Sequence, residues 1–298
     1  MSWIKTLTYI NSNGVELVLT NSAPFVLSSF DISNDVNIYN SKGVNQDGAN
    51  YLGNTLDIKD ISLEVAIMSN NFEEASNYRN LFNKVLNPKI GEGYLVYKDE
   101  LKERKIKCVI NKLPYFDKDS DATLQICLIS LTANYPFWND LLESREEIAL
   151  WIGSFSFSED GTDGFELIDG GIEMGYRAPS LIVNVLNKGD VECGMRVEFK
   201  ALATLTNPSI LNVNDTSEYI KINKTMIAGE VLSVSTYFGE KKVESTLNGV
   251  ITNDFNYIDF ETTFLQLNVG DNLFRYNADT GIDNLEVTIY YCPMYLGV

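Results

Sequence analysis

The sequence predicts a mainly β protein of two domains, and three patterns carry that prediction. Leu56 to Ile67 alternates as a half-buried strand does, with Leu56 and Ile58, then Ile61, Leu63, Val65 and Ile67 apolar and acidic or polar residues between. Between residues 181 and 291, eight short apolar runs recur at regular intervals with turn residues separating them, the spacing of a β-sandwich. One stretch, Asn71 to Leu86, carries helical periodicity, with Phe72, Ala75, Tyr78, Leu81, Phe82 and Val85 three or four apart. At 298 residues the chain is about twice a typical domain of roughly 150, so each half can bury a full core.

The first 60 residues read as strands and turns. Val15 to Leu19 and Pro24 to Ile32 are apolar-rich, while Asn11 to Gly14 and Gly43 to Gly53 have turn chemistry, the latter read as a loop. A break in the alternation near Asp60 suggests a bulge in the next strand. The helix is signposted at both ends: Asn70 or Asn71 can cap it with Glu73 or Glu74 reaching back, and Asn87-Pro88 stops it. Tyr94 to Tyr97, Lys105 to Leu113 and Thr123 to Ala133 then form an antiparallel meander, the last two joined by a polar turn from Asp117 to Asp121. In the middle strand Ile106, Cys108 and Ile110 face one way, and Lys105, Lys107 and Asn111 mostly the other.

The glycine- and acid-rich segment from Leu141 to Gly175 has weak periodicity and marks the boundary. The expected division is residues 1–140 as the first domain, 141–177 as a connector and 178–298 as the second domain. The strands expected in the second are Leu181 to Leu186, Met195 to Leu202, Ser209 to Val213, Tyr219 to Ile222, Val231 to Tyr237, Lys242 to Thr246, Thr262 to Leu267 and Glu286 to Tyr291. Turns such as Lys188-Gly189-Asp190 and Val269-Gly270-Asp271-Asn272 separate them.

Composition narrows the function. The chain has no histidine, which excludes Ser-His-Asp and Cys-His catalysis and lowers the expectation of an enzyme; carboxylate or lysine chemistry stays open. The formal charge of −18 repels nucleic-acid phosphates. That charge is uneven: residues 1–137 hold 13 basic and 16 acidic side chains, residues 138–298 hold 10 and 25. A near-neutral first half suits packing against identical copies, and an acidic second half suits a solvated periphery. Cys108, Cys127, Cys193 and Cys292 lack C-x-x-C spacing, so buried thiols are expected, not a metal or redox site. The N-terminal residues have neither a secretory pattern nor a membrane span, so synthesis in a reducing cytoplasm is expected.

Several motifs invite a sharper reading than they carry. Asp117, Asp119 and Asp121 imitate a calcium loop, but an EF-hand needs glycine and glutamate where Ala122 and Leu128 stand, which favours a solvated turn. Gly161 to Gly175 holds no phosphate-cradling pattern and reads as a connector. Lys98, Lys102, Arg104, Lys105, Lys107 and Lys112 form the one locally basic stretch, either a solvated strand face or a seam meeting acidic residues of another copy. Trp138, Trp151, Phe155 and Phe157 could stack on sugars or fill a core. No catalytic, cofactor-binding or metal-ligating residue emerges.

The order of these features resembles the distal tail protein family of siphophages. The stretches that carry it are Asp47-Gly48-Ala49-Asn50 before a strand, the lone helix before Tyr94-Leu95-Val96-Tyr97, and Ala133-Asn134-Tyr135-Pro136-Phe137-Trp138. In the second half they are Ala178-Pro179-Ser180-Leu181-Ile182-Val183, Asn207-Pro208-Ser209-Ile210, Leu267-Asn268-Val269-Gly270-Asp271-Asn272 and Ile289-Tyr290-Tyr291. The resemblance implies an N-terminal split-barrel β domain with one helix and a C-terminal galectin-like β-sandwich. It also implies a non-enzymatic homo-hexameric ring at the tail tip, with a channel for DNA, joining the tail tube protein to the hub or tail-associated lysin and in some phages a receptor-binding protein. An acidic or neutral lumen would let DNA pass without sticking. The competing expectation is a carbohydrate-binding host-adhesion module, disfavoured because Trp3, Trp138 and Trp151 all precede the second-domain strands; a carboxylate glycosidase has no recognisable paired site.

Overall fold

The structure, a computed structural model, describes residues 6–117, 123–148, 151–152, 176–177 and 181–298. The turn residues 118–122, Trp3, Phe155, Phe157, Gly161 to Gly175 and Ala178 to Ser180 lie outside the described residues. The chain is mainly β and divides into two compact units, residues Met1–Leu141 with Tyr295–Val298, and Leu142–Met294.

Unit 1 runs β1 (Thr6–Ile10), β2 (Glu16–Leu19), β3 (Phe25–Ser41), β4 (Asn50–Met68), α1 (Phe72–Val85), β5 (Gly93–Lys98), β6 (Glu103–Phe116), β7 (Leu124–Ala133) and β8 (Trp138–Asp140). The main sheet has the order β2-β1-β5-β6-β7-β4-β3. Its two ends meet: the Thr20 N–H donates to the Phe25 carbonyl at 3.1 Å and the Leu27 N–H to the Thr20 carbonyl at 2.8 Å. One bridge closes the sheet into a split barrel while most of the β3 edge stays open. The interior is filled by the rows that alternation predicts, including Leu7, Leu17, Ile61, Leu63, Val65, Ile67, Leu95, Ile106, Cys108, Cys127, Ile129 and Leu131.

The helix covers one mouth of this core. Asn71 caps it, accepting from the Glu74 N–H at 2.9 Å, and the Glu74 carboxylate accepts from the Asn70 N–H at 2.7 Å. The Asn70 N–H, and then the Tyr78 hydroxyl that donates to it at 2.8 Å, hold the Glu74 carboxyl below the usual carboxylate range. Phe82 packs edge-on against Phe25 at 5.1 Å and against Phe116 at 6.3 Å, and Tyr78 meets Phe25 at 5.0 Å. Ala75, Phe82 and Val85 are buried, and sealing Phe82 and Val85 stabilises by ~1.5–3 kcal/mol each. Phe72, counted on the apolar face from its spacing, is instead 77% exposed at the first position of the helix.

The last residues belong to unit 1, although the sequence assigns them to the second domain. Lys59, almost fully buried, donates to the Leu296 carbonyl at 2.8 Å; Arg104 binds the Gly297 carbonyl and lies 3.4 Å over the Tyr295 ring. Burial lowers the Lys59 pKa, and the carbonyl gives its ammonium an acceptor.

Among its described residues, unit 2 holds two larger antiparallel sheets and one short two-stranded pair. β9 (Ser144–Glu147) pairs with β22 (Leu285–Tyr291) at the edge of a sheet that also holds β13 (Cys193–Ala201), β17 (Val231–Ser235), β18 (Lys242–Leu247) and β19 (Val250–Asn253). β9 therefore belongs to this sheet and not to a connector. β10 (Trp151–Ile152) and β11 (Tyr176–Arg177) pair with each other. The other sheet takes β12 (Ile182–Asn187), β14 (Leu205–Asn212), β15 (Tyr219–Lys221), β16 (Thr225–Met226) and β21 (Gly270–Thr280). The run at Thr262 to Leu267 yields only β20 (Gln266–Leu267). β21, central and flanked by β12 and β14, begins within the turn expected at Val269 to Asn272; Asn272, Phe274, Tyr276 and Ala278 form its buried row, and the buried Asn272 amide donates to the Asn268 carbonyl at 2.8 Å and the Gly270 carbonyl at 3.0 Å.

A buried charge cluster ties this unit together. Lys224 lies 2.6 Å from Glu230 and 3.0 Å from the Ser245 hydroxyl and also pairs with Asp254, both carboxylates being buried. Burial pulls the Lys224 pKa down, but its bonds to Asp254 and Glu230 outweigh it and the pKa is raised. Replacing Lys224 by Met is expected to destabilise unit 2 by ~3–5 kcal/mol at neutral pH, less at acid pH where the stranded carboxylates protonate, as read by urea unfolding at both.

Desolvation pushes the Cys108, Cys127 and Cys193 thiols up to about 12, whereas Cys292 is half-buried. The folded values exceed that of a free thiol, so these groups stabilise fully below the free-thiol pKa and less as pH rises toward about 12. Urea midpoints should fall through that window. At neutral pH a thiol-reactive disulfide should modify Cys292 first and the other three only on unfolding. Asn71→Ala should cost about 1 kcal/mol in the same urea assay.

Candidate assembly interface

Leu56 to Ile67 and Lys105 to Leu113, expected as strands, lie within β4 and β6. From Lys59 to Met68, β4 has β3 on one side and β7 on the other, so its backbone cannot accept another chain, whereas β6 pairs with β5 from Glu103 to Cys108 and with β7 from Val109 to Phe116. The strands at the ends of the main sheet are β2 and β3, and beyond Leu27 the outer side of β3 has no partner strand among the described residues.

The basic stretch is largely spent within the chain. Lys98 pairs with Glu103 at 3.1 Å and Lys107 with Glu92 at 2.8 Å, while Lys105 donates to the Leu141 carbonyl at 2.8 Å and Arg104 holds Gly297. Lys112 instead lines a 330 Å³ cleft on the outer sheet face with Asp31, Glu64, Leu113, Tyr115 and Leu128. The register of β6 against β7 shifts between Ile110 and Lys112 and again before Tyr115, and this irregularity opens the cleft.

β3 and β4 form a hairpin far longer than the strands beside it. β4 pairs with β3 back to Ser41 and Asn50 but with β7 only from Lys59, so Val36–Ser41 and Asn50–Ile58 project as a two-stranded arm. Residues 50–53, expected in a loop, are strand. The bulge expected near Asp60 falls at Asp57–Ile58, where the Asn34 amide donates to both backbone carbonyls at 2.8 and 3.3 Å. Along the arm Val36, Ile38, Tyr39, Tyr51, Leu52 and Ile58 are exposed, and Val44 at its tip is 97% exposed. Periodicity could have found these strands, but Gly43, Gly48 and Gly53 masked them.

Trp138 is fully buried in the unit 1 core, so it cannot stack on a sugar. In unit 2 a polar groove of 210 Å³ is lined by Glu143, Arg196, Ser233, Ser235, Tyr237, Glu240, Lys242 and Glu244. Arg196 there is held 3.0 Å from Glu143 and 4.0 Å over the Tyr290 ring. Among the described residues no group of three or more His, Cys, Asp or Glu could hold a metal ion, and no helix is long and apolar enough to cross a membrane. The rest of the Asp117–Asp121 turn lies outside them.

Two family models match in sequence: the phage tail protein RIFT-related domain over residues 12–126 and the siphovirus-type tail component C-terminal domain over residues 188–295. The chain belongs to the siphovirus-type tail component family. No curated protein matches this tail component. Among solved structures it is similar to the Dit (gp 19.1) protein of phage SPP1, described as a paradigm of the hub adsorption apparatus in phages infecting Gram-positive bacteria. The TM-score is 0.69 at 10% identity, covering 98% of this chain and 99% of that one. It is also similar to chains of the phage p2 baseplate in its activated conformation with strontium and with calcium, at TM-scores of 0.58 and 0.57 and 10% identity, each covering 100% of both chains. At such identity the shared property is the fold.

The exposed pairs of β6 contribute little to the stability of this tail component. Lys98→Ala and Lys107→Ala are each expected to change the unfolding free energy by no more than ~1 kcal/mol, measured by urea titration.

Proposed function

We propose that this tail component is a distal tail protein, a non-enzymatic virion protein forming a hexameric ring at the phage tail tip. The ring joins the tail tube to the hub and host-recognition apparatus, and DNA passes through its central channel. Residues 1–140, with the strap Tyr295–Val298, form the ring, and residues 178–298 up to that strap form the galectin-like sandwich. The partners are five further copies, the tail tube protein, the tail-associated hub or lysin protein and, in some phages, a receptor-binding protein. Assembly takes place in the cytoplasm of the bacterial host.

The observation that carries this reading is the match of nearly the whole chain, in one order, to the fold of the SPP1 hub protein. The near-neutral first half and the open edge of β3 add physical support, since closing a cyclic assembly covers such edges. Light scattering of the purified protein should give a mass near six subunits, and negative-stain images should show rings with a central channel. A strict monomer in the presence of the neighbouring tail tube protein would sink the reading.

A further inference from the structure

We infer that Lys224 forms an amide with Asp254, an intramolecular cross-link that Glu230 catalyses and that joins the two larger sheets of unit 2. The inference does not depend on how copies of the chain assemble.

The groups meet with the spacing that such a bond needs. Lys224 Nζ contacts the Asp254 carboxylate, lies 2.6 Å from Glu230 Oε1 and donates to the Ser245 hydroxyl at 3.0 Å. Each of its three hydrogens therefore has an acceptor, and the nitrogen is fixed in place. The Asp254 and Glu230 side chains are only 3% and 7% exposed. An amine held against a carboxyl group away from water reacts as though at very high local concentration, and the dry site favours condensation over hydrolysis.

The second carboxylate assigns the roles. A structural ion pair needs one carboxylate per ammonium, and another only adds a buried negative charge. A reaction needs it, because a base must stand within hydrogen-bond reach of the nucleophile. Glu230 also accepts from the Ile227 N–H at 3.2 Å, and such a donor favours the ionised form that a base requires. Glu230 is thus the proton carrier and Asp254 the acyl group.

The atoms balance. Nζ first passes one proton to Asp254, which leaves the charge of the cluster unchanged and sets a neutral amine beside a neutral carboxylic acid. The nitrogen lone pair attacks Asp254 Cγ and the C–N bond forms. Glu230 takes a second proton from the nitrogen and hands it to the departing hydroxyl; the C–O bond breaks and water leaves. Glu230 ends as the carboxylate it began, and nothing is oxidised or reduced. Burial lowers the Lys224 pKa while its bonds to Asp254 and Glu230 raise it further, so the ion pair is the resting form and the bond follows folding slowly.

The place in the fold suits a cross-link. Lys224 lies between β15 and β16 of one sheet, and Asp254, 30 residues on, directly follows β19 at the edge of the other. A covalent bond there spans the sandwich and restricts the unfolded chain across that loop.

Mass spectrometry of the purified full chain, after prolonged incubation at neutral pH, tests this. The intact mass is expected to fall short of the sequence mass by one water. In a tryptic digest, residues 222–241 should stay uncut at Lys224 and be joined to residues 243–275 in one branched fragment. Glu230→Gln, with folding checked by circular dichroism, is expected to lose that fragment; the parent chain decides the existence of the bond by itself if the variant does not fold. An intact mass equal to that of the sequence, with trypsin cutting after Lys224, overturns the inference. Water lost within residues 222–241 alone would place the amide on Glu230, and water lost within 243–275 alone would be cyclisation at Asp254; either result also sinks it. A branched fragment that persists in Glu230→Gln would support the cross-link and refute the role of Glu230.

Discussion

The pairing of β4 governs what the first unit can do. From Lys59 to Met68 it has a neighbour on each side, its backbone groups are consumed, and Ile61, Leu63, Val65 and Ile67 stand in a fully buried row. Upstream of Lys59 it keeps only β3, and burial ends almost at once. Lys59 marks the transition: it pairs with Ala133 of β7, points inward, and satisfies its ammonium on a carbonyl of the strap. A buried cation tolerates such a site only with an acceptor supplied, so the strap and the root of the arm depend on one another.

How much of this was legible in the sequence follows from how burial writes itself into residue types. The row at Leu63 to Ile67 and the helix were legible because each buries one face and wets the other. The arm was not, because it buries neither face in this chain, and the glycines and Asn45 of its sequence imitate a loop. Asn45 and Gly48, both at positive φ, do form the apex, but strand resumes at Asn50. β21 escaped for a different reason. Its buried row starts with Asn272, a side chain used to tie the preceding turn, so the polar letters that signalled a turn also began a central strand.

Electrostatics divides the two units in a way the net charge alone does not explain. In unit 2 one lysine compensates two buried carboxylates, so the cluster stays anionic and is held by geometry and hydrogen bonds. In unit 1 Lys98, Arg104, Lys105 and Lys107, which look available in sequence, are paired with Glu103, Glu92 or backbone carbonyls. A seam built on those lysines would have to break bonds already made, and exposed pairs return too little energy to drive assembly.

What remains on unit 1 to join copies is apolar surface and an unpaired strand edge, and the two reinforce each other. An edge pairs with any extended chain, so hydrogen bonding alone gives contact without choice of partner. Apolar side chains beside the edge add choice, because a partner of the wrong shape leaves Ile38, Tyr39 and Leu52 uncovered. The irregular register of β6 shapes the outer face of the sheet. A regular strand there would pair evenly with β7 and present a flat face, and the step between Ile110 and Tyr115 is what makes that face concave.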